Sequence, residues 1–376
     1  MIKSVLLFLM MSINFGLYAQ NKIIAQFLSN DTTKHNSFLP LPAFSYSQEN
    51  GVSVGTIGMY SFYIDKSDPK IKVSQSLGAF AYSTKKQILA SFKADVWTKK
   101  NKHHFITEAK YVVQPFNFYG IGNETKSSDK DILNLKRLKL NGELEKAVTK
   151  NVYLGGGISY ENLVLSAKEY GGFYTNTNTN LIDKNGGQFL FLKATSFYDS
   201  RNSIPYPSKG FYLQLQYSYA PNVFGKPNFS GSLFSINAKN FYKLSPILNL
   251  ALNATYEGIS SLGPIPFYML RQLGNDQYMR GYYTGRFRDE NLMTSQAELR
   301  LRPTPRFGLV AFGGTGVVYA KNDFRNNTFK PTYGLGARLF FDLEKGMAIR
   351  FDYATGEKPS GEKRISGFYI SLGEAF

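Results

Sequence analysis

The sequence predicts an all-β protein, a single 16-stranded antiparallel transmembrane β-barrel over residues 40–376. Three observations carry this prediction. Apolar and polar residues alternate with period two in segments about ten residues long. The connections between these segments alternate between short and long. Aromatic residues are abundant, 31 Phe and 26 Tyr beside one Trp, yet no segment beyond residue 20 has the apolar length of a transmembrane helix. A barrel strand needs an apolar residue only at every second position, so it is invisible to a helix-length hydropathy window.

The alternation is plain in three segments. Leu213, Leu215, Tyr217 and Tyr219 alternate with Gln214, Gln216 and Ser218. Leu248, Leu250, Leu252 and Ala254 alternate with Asn249, Ala251, Asn253 and Thr255. Leu138, Leu140 and Leu144 face one way while Arg137, Lys139, Asn141, Glu143 and Glu145 face the other. Read this way, strands are expected at 40–48, 50–62, 72–84, 86–98, 102–114, 135–149, 151–163, 187–198, 210–220, 231–243, 247–258, 293–303, 307–319, 332–343, 346–355 and 365–375. Segments of roughly 9–11 residues match the tilted span of a bilayer. An open sheet edge in lipid leaves backbone groups unpaired, so such strands are expected to close on themselves. Links such as Thr149-Lys150-Asn151 and Leu244-Ser245-Pro246 are short, whereas 115–134, 164–186, 259–292 and 320–331 are long. Short periplasmic turns and long outer loops are the asymmetry of outer-membrane barrels. A soluble sandwich has fewer, shorter strands, and two in tandem would need a central linker that the sequence lacks.

The N-terminus reads as a signal peptide over residues 1–19: Lys3, the apolar run Val5–Met11, and Leu17-Tyr18-Ala19 before a cut at Gln20. Ser12 and Asn14 interrupt the run well before the ~18 apolar residues that a membrane anchor needs. Residues 20–39 are then a short periplasmic leader, and the expected location is the Gram-negative outer membrane. The net charge of +17 is spread over turns, loops and alternate strand positions rather than gathered on a helix. That argues against nucleic acid and for phosphate groups of outer-membrane lipid or lipopolysaccharide. With no Cys there is neither disulfide nor thiolate chemistry. Three His, at 35, 103 and 104, carry no metal-ligand spacing, and no phosphate loop or spaced carboxylate pair is found. No catalytic residue, metal or cofactor is therefore assigned, and an enzyme is not expected.

Four local motifs remain. In the turn between expected strands 8 and 9, Asp199-Ser200-Arg201-Asn202 leads to Tyr206-Pro207-Ser208-Lys209-Gly210; proline fixes φ and Gly210 can take a positive φ before the next strand. In the sixth long loop lies Arg280-Gly281-Tyr282, followed by Glu298. If Ala297, Leu299 and Leu301 face lipid, Glu298 faces the lumen. Phe312-Gly313-Gly314-Thr315-Gly316 falls on the following strand. The last strand places Phe368, Ile370, Leu372 and Phe376 at one parity.

Together these resemble the outer-membrane assembly-factor superfamily, or bacterial surface-antigen family, whose best-known members are BamA and TamA. The likeness is good over 187–376 and loose before it. It implies that loop six folds into the lumen, where Arg280 meets Glu298 in a charge-assisted pair. The family's second carboxylate, in a Phe-x-Asp-x-Gly strand, is replaced by Gly314, which leaves Asp342 and Asp352 as substitutes by their lumenal parity. It also implies that the last strand is the signal by which the assembly machinery inserts this chain, read by strand pairing. The leader is too short for a polypeptide-transport-associated (POTRA) domain. The function so implied is insertion or translocation of protein at the outer membrane, with a separate periplasmic partner. The alternative is a structural or passive-diffusion barrel with no polypeptide transport, since fold likeness alone assigns no role.

Overall fold

The computed structural model describes residues 33–47, 51–168, 173–175, 181–225, 228–321, 323–324 and 328–376. The expected signal peptide and most of the leader lie outside the described residues. The strands are β1 (Ser37–Ser47), β2 (Gly51–Phe62), β3 (Ser74–Ser83), β4 (Ile88–Trp97), β5 (His103–Phe118), β6 (Asp131–Ala147), β7 (Val152–Ala167), β8 (Gly186–Asp199) and β9 (Gly210–Ala220). They continue with β10 (Gly231–Lys243), β11 (Leu248–Ser260), β12 (Arg271–Leu273), β13 (Phe287–Asp289), β14 (Asn291–Leu301), β15 (Phe307–Tyr319), β16 (Lys330–Asp342), β17 (Met347–Thr355) and β18 (Ser366–Leu372). Sixteen of these form one antiparallel sheet in chain order, and β12 pairs with β13 as a small hairpin inside the β11–β14 connection. The sheet strands lie where the alternation places them. The β12–β13 hairpin was not foreseen, because three-residue strands carry too little periodicity to be read.

The sheet turns the usual globular pattern inside out. On β14, Thr294, Gln296, Glu298 and Arg300 are buried while Ser295 and Leu299 are exposed. Phe80, Phe92, Leu140, Ile158, Leu192, Leu309, Leu335, Phe368 and Ile370 stand exposed on neighbouring strands. Exposed apolar files with charges buried behind them suit a wall with lipid outside and a polar lumen inside.

Both ends of that lumen are covered. At the long-loop end, a single 3₁₀ turn, Phe267–Met269, follows Pro264 and Pro266 and drives apolar side chains inward. Phe267 and Leu270 pack with Phe118, Leu133 and Leu165, and Met269 packs with Phe189, Phe191 and Ile259. The unusual length of β5 and β6, 16 and 17 residues, supplies the wall for this cap. At the other end, the connection 200–209 crosses beneath the lumen. The Tyr206 ring meets Phe340 edge-on at 5.1 Å, and Arg302 covers Phe340 at 3.7 Å.

The edges of the sheet, β1 and β18, are not joined by a backbone ladder. Side chains of β1, β16, β17 and β18 gather in one apolar cluster there instead. Leu39 is buried with Phe341 and Met347, with Leu41, Ile349 and Leu372 packed around them. Ser37 Oγ donates to Asp342 Oδ2 at 2.8 Å, which starts β1 three residues before the expected Pro40. The last strand departs from expectation at its end. It stops at Leu372 rather than 375, because Gly373 takes φ +80° and turns the chain inward. Phe376 therefore does not share the outward face of Phe368 and Ile370; it is buried against Phe241 and Ala251.

A ladder of this extent should resist detergent until heated. The purified protein is expected to migrate faster on gels before boiling than after, and an unchanged mobility would contradict the fold.

The buried loop-six arginine as the candidate functional site

The β11–β14 connection carries Arg280 to the centre of the lumen through an unusual backbone. Met279 has φ +53° and Gly281 φ +103°. A Cβ on Gly281 would lie 3.0 Å from the Thr355 carbonyl carbon, so glycine is required both by conformation and by the approach to β17. Tyr369 holds the motif by accepting from the Gly281 N–H at 2.8 Å, and the Thr332 hydroxyl donates to the Arg280 carbonyl. Tyr282 donates to the Pro331 carbonyl at 2.7 Å and accepts from the Glu357 N–H at 2.8 Å. Each member of the Arg-Gly-Tyr triplet thus has a separate anchor on β16, β17 or β18, or on the segment between β17 and β18.

The Arg280 guanidinium is fully buried and meets two carboxylates. Its Nη2 donates to Glu298, and its Nη1 donates to Asp352 Oδ2 at 2.6 Å. The Phe312 ring lies across its face at 3.5 Å. The pairing extends outward. Arg300 Nε donates to Glu298 Oε2 at 2.8 Å, and Arg338 bridges Asp352 at 2.7 Å and Glu374 at 2.8 Å. Arg350 Nη2 donates to Asp276 Oδ2 at 2.8 Å. Four guanidiniums therefore face four carboxylates, Glu298, Asp352, Glu374 and Asp276. This balance is what allows so many charges to leave water together.

Of the two substitutes for the missing acid, the structure places Asp352 beside Arg280 and Asp342 elsewhere. Asp342 pairs with Lys345 at 2.8 Å and with Ser37, at the sheet edge. Two glycines explain the geometry. A Cβ on Gly336 would lie 2.0 Å from Asp352 Oδ1, so its absence makes the room that Asp352 occupies. A Cβ on Gly314 would lie 2.8 Å from that of Gln296, whose amide donates to the Gln277 carbonyl. An acid at 314 would therefore crowd the descent of loop six. Arg338, Arg350 and Glu374 were not singled out from the sequence. The first two share lumenal parity with Asp352 and are register partners of each other, so the signal was present. Glu374 was hidden because it lies beyond the end of the strand.

The C-terminal residues join the same network. Arg300 Nη2 donates to the Phe376 main-chain oxygen at 2.9 Å and lies 5.1 Å from its ring. Leu372 remains at the sheet edge, half-buried near Met347. The turn motif forms a second, smaller centre. Asp199 accepts from Arg201 Nε at 2.9 Å and from Lys72 Nζ at 2.8 Å. Lys72 sits over Trp97 at 4.1 Å, and burial pulls its pKa down against the opposing pull of Asp199. Gly210 takes φ +109° where a Cβ would strike the Ser200 carbonyl at 2.4 Å; Pro207 is buried beside it. His104 is buried between Asp95 at 2.7 Å and Glu145 at 2.6 Å. None of these residues reaches Arg280.

An apolar outer face, a charge-balanced lumen and an in-folded sixth loop define an outer-membrane β-barrel protein. The chain belongs to the Omp85 superfamily, whose domain matches residues 52–376. Among solved structures, BamA from Haemophilus ducreyi, crystallised without POTRA domains 1–3, superposes with a TM-score of 0.57 at 14% identity, covering 91% of this chain and 70% of that one. CdiB from Acinetobacter baumannii superposes with a TM-score of 0.56 at 11% identity, covering 90% of this chain and 60% of that one. Likeness at this level of identity concerns the fold alone. No protein of curated function matches the chain.

Removing one partner of a buried ion pair leaves the other uncompensated, at about 3–5 kcal/mol. Arg280→Ala, Glu298→Ala and Asp352→Asn are each expected to lower resistance to denaturant by that order, with Arg280→Ala/Glu298→Ala clearly less than additive. Asp342→Asn should leave the anchoring of loop six intact. Denaturant titrations read by the mobility shift check this, and strict additivity would mean that Arg280 and Glu298 do not interact.

Proposed function

We propose that this chain closes into a barrel at the Gram-negative outer membrane and inserts or translocates polypeptide there by opening between β1 and β18. The observation that carries the reading is the seam. Every other neighbouring pair in the sheet is bonded through its backbone, whereas β1 and β18 share no ladder, and Leu41 and Leu372 pack against one apolar cluster of Leu39, Phe341 and Met347. Parting apolar side chains within lipid leaves little new surface in water, so this line separates at lower cost than any ladder. An entering strand would find unpaired N–H and C=O groups along both edges and could pair with them. The family likeness, with BamA and CdiB as structural neighbours, supports the same direction. A separate periplasmic protein that delivers the polypeptide belongs to this reading, as does assembly of the chain itself through its last strand. So does removal of residues 1–19 on export.

A passive-diffusion barrel needs an open lumen. Here loop six and the 200–209 connection cover the two ends, and a balanced ionic network fills the space between β14 and β17, which disfavours that alternative. In planar bilayers the intact protein is expected to give small, flickering conductance, and a large steady conductance would favour the passive pore.

The absence of native Cys makes the seam directly testable. Leu41→Cys/Leu372→Cys joined by a short bismaleimide should block delivery of outer-membrane or secreted polypeptides in cells that depend on this protein. The same variant without cross-linker should support it. Full delivery with the seam locked would overturn the proposal.

A further inference from the structure

Charge is unevenly divided between the two ends of the sheet. The seven connections at the short-turn end carry twelve Lys and Arg against three Asp and Glu, whereas the eight at the long-loop end, more than twice the length in total, carry sixteen against eleven. The excess includes an arc at the short-turn ends of β4 to β7. Lys99, Lys100 and Lys102 occupy the β4–β5 turn, Lys146 ends β6, and Lys150 lies in the β6–β7 turn. Lys99, Lys100, Lys102, Lys146 and Lys150 are all exposed, and among the described residues no ion pair is found for them. Two lysines higher on the inner wall do have partners: Lys139 meets Glu108, and Lys193 meets Glu143.

The arc is held in place. Lys100 and Asn101 take φ +57° and +53°, a conformation that suits Asn and costs a lysine about 1 kcal/mol or more. Asn101 stabilises it through its side chain, which donates to the Lys70 carbonyl and accepts from the Lys72 N–H, both at 2.8 Å. The Lys102 carbonyl accepts from the Ala147 N–H at 2.9 Å, and the Asn101 carbonyl accepts from Tyr153 at 3.1 Å. Three neighbouring strand ends are thereby tied into one basic rim. Its placement identifies its partner. Leu140, Leu144 and Lys146 follow one another on the outward file of β6, with Phe105 paired to Leu144 and His103 to Lys146 on β5. Leu154 continues the exposed apolar belt on β7. Lysines directly beneath a lipid-facing belt stand where phosphates of the adjoining leaflet lie, with their stems along the apolar surface. A basic rim built to receive a soluble protein would have no need to continue the lipid-facing files.

We infer that Lys99, Lys100, Lys102, Lys146 and Lys150 form a docking site for the phosphate groups of anionic phospholipid, at the short-turn ends of β4 to β7. The β14–β17 side is built differently. In the β16–β17 connection Lys345 is buried on Asp342, and Arg302 and Arg306 are spent on the Pro305 and Phe340 carbonyls. Headgroups would thus grip the β4–β7 wall and leave the β1–β18 edge free to part. This inference rests on the membrane reading above.

The test uses the full chain in lipid vesicles, comparing pure phosphatidylcholine with a mixture containing phosphatidylglycerol. Each lysine at an anionic surface favours it about fivefold. Allowing for mutual repulsion, phosphatidylglycerol in the shell of lipid that co-purifies with the protein is expected to be enriched about tenfold less in the K99Q/K100Q/K102Q/K146Q/K150Q variant than in the wild type. K85Q/K86Q, at the other end, should match the wild type. Heat-modifiable mobility of all three in both vesicles keeps the membrane reading standing whatever the lipid result. Equal enrichment in wild type and quintuple variant would overturn the inference. So would protection of the wild type in phosphatidylcholine vesicles by inorganic phosphate alone, which would make the rim a site for free anion.

Discussion

Arg280 is the residue on which the arrangement of the lumen depends. It is fully buried, and burying a lone guanidinium is prohibitive unless carboxylates accompany it. Glu298 and Asp352 meet that demand from β14 and β17, and each in turn needs the further cations Arg300 and Arg338. Once these charges are committed, loop six has one path: in past Gln296, across Phe312 and up along Thr355. The glycines at 281, 314 and 336 are the negative image of that path, each removing a side chain from a place that the loop or its partners occupy.

The same commitment sets what can move. Withdrawing loop six would take Arg280 from Glu298 and Asp352 and Asp276 from Arg350, and would remove the aromatic cap around Phe267. The β1–β18 edge holds no network of that size. It carries the apolar cluster of Leu39, Phe341 and Met347 and one small polar group, in which Asp342 meets Ser37, His35 and Lys345, and it lacks the backbone ladder of every other pair. The inward turn at Gly373 sends Glu374 and Phe376 to Arg338 and Arg300 instead of onward along the strand, so the network also limits how far β18 can extend. A rigid, charge-locked interior and a weak lateral edge are thus two consequences of one set of arginines.

Much of the fold was legible in the sequence because a two-sided environment writes itself as alternation. Leu213 to Tyr219 and Leu248 to Ala254 declare which face meets lipid without reference to any contact. Turn length shows which end is which, and Arg280-Gly281-Tyr282 followed by Glu298 carried the family likeness that the Omp85 match over 52–376 then established. The inward parity of Glu298 and Asp352 followed from the same alternation.

Tertiary structure decided what alternation cannot encode. Parity offered Asp342 and Asp352 equally; only distance around the sheet put Asp352 beside Arg280 and Asp342 beside Ser37. Alternation also ran Phe376 on with Phe368 and Ile370, because a pattern of side chains carries no record of the backbone turn at Gly373 or of the arginine waiting inside. The crossing of Tyr206 to Phe340 and the burial of His104 between two acids have the same origin. A period-two sequence determines which face each side chain takes, since that is local geometry. Which residues meet across a lumen depends on how the whole sheet curls, and that is settled only when all the strands are in place.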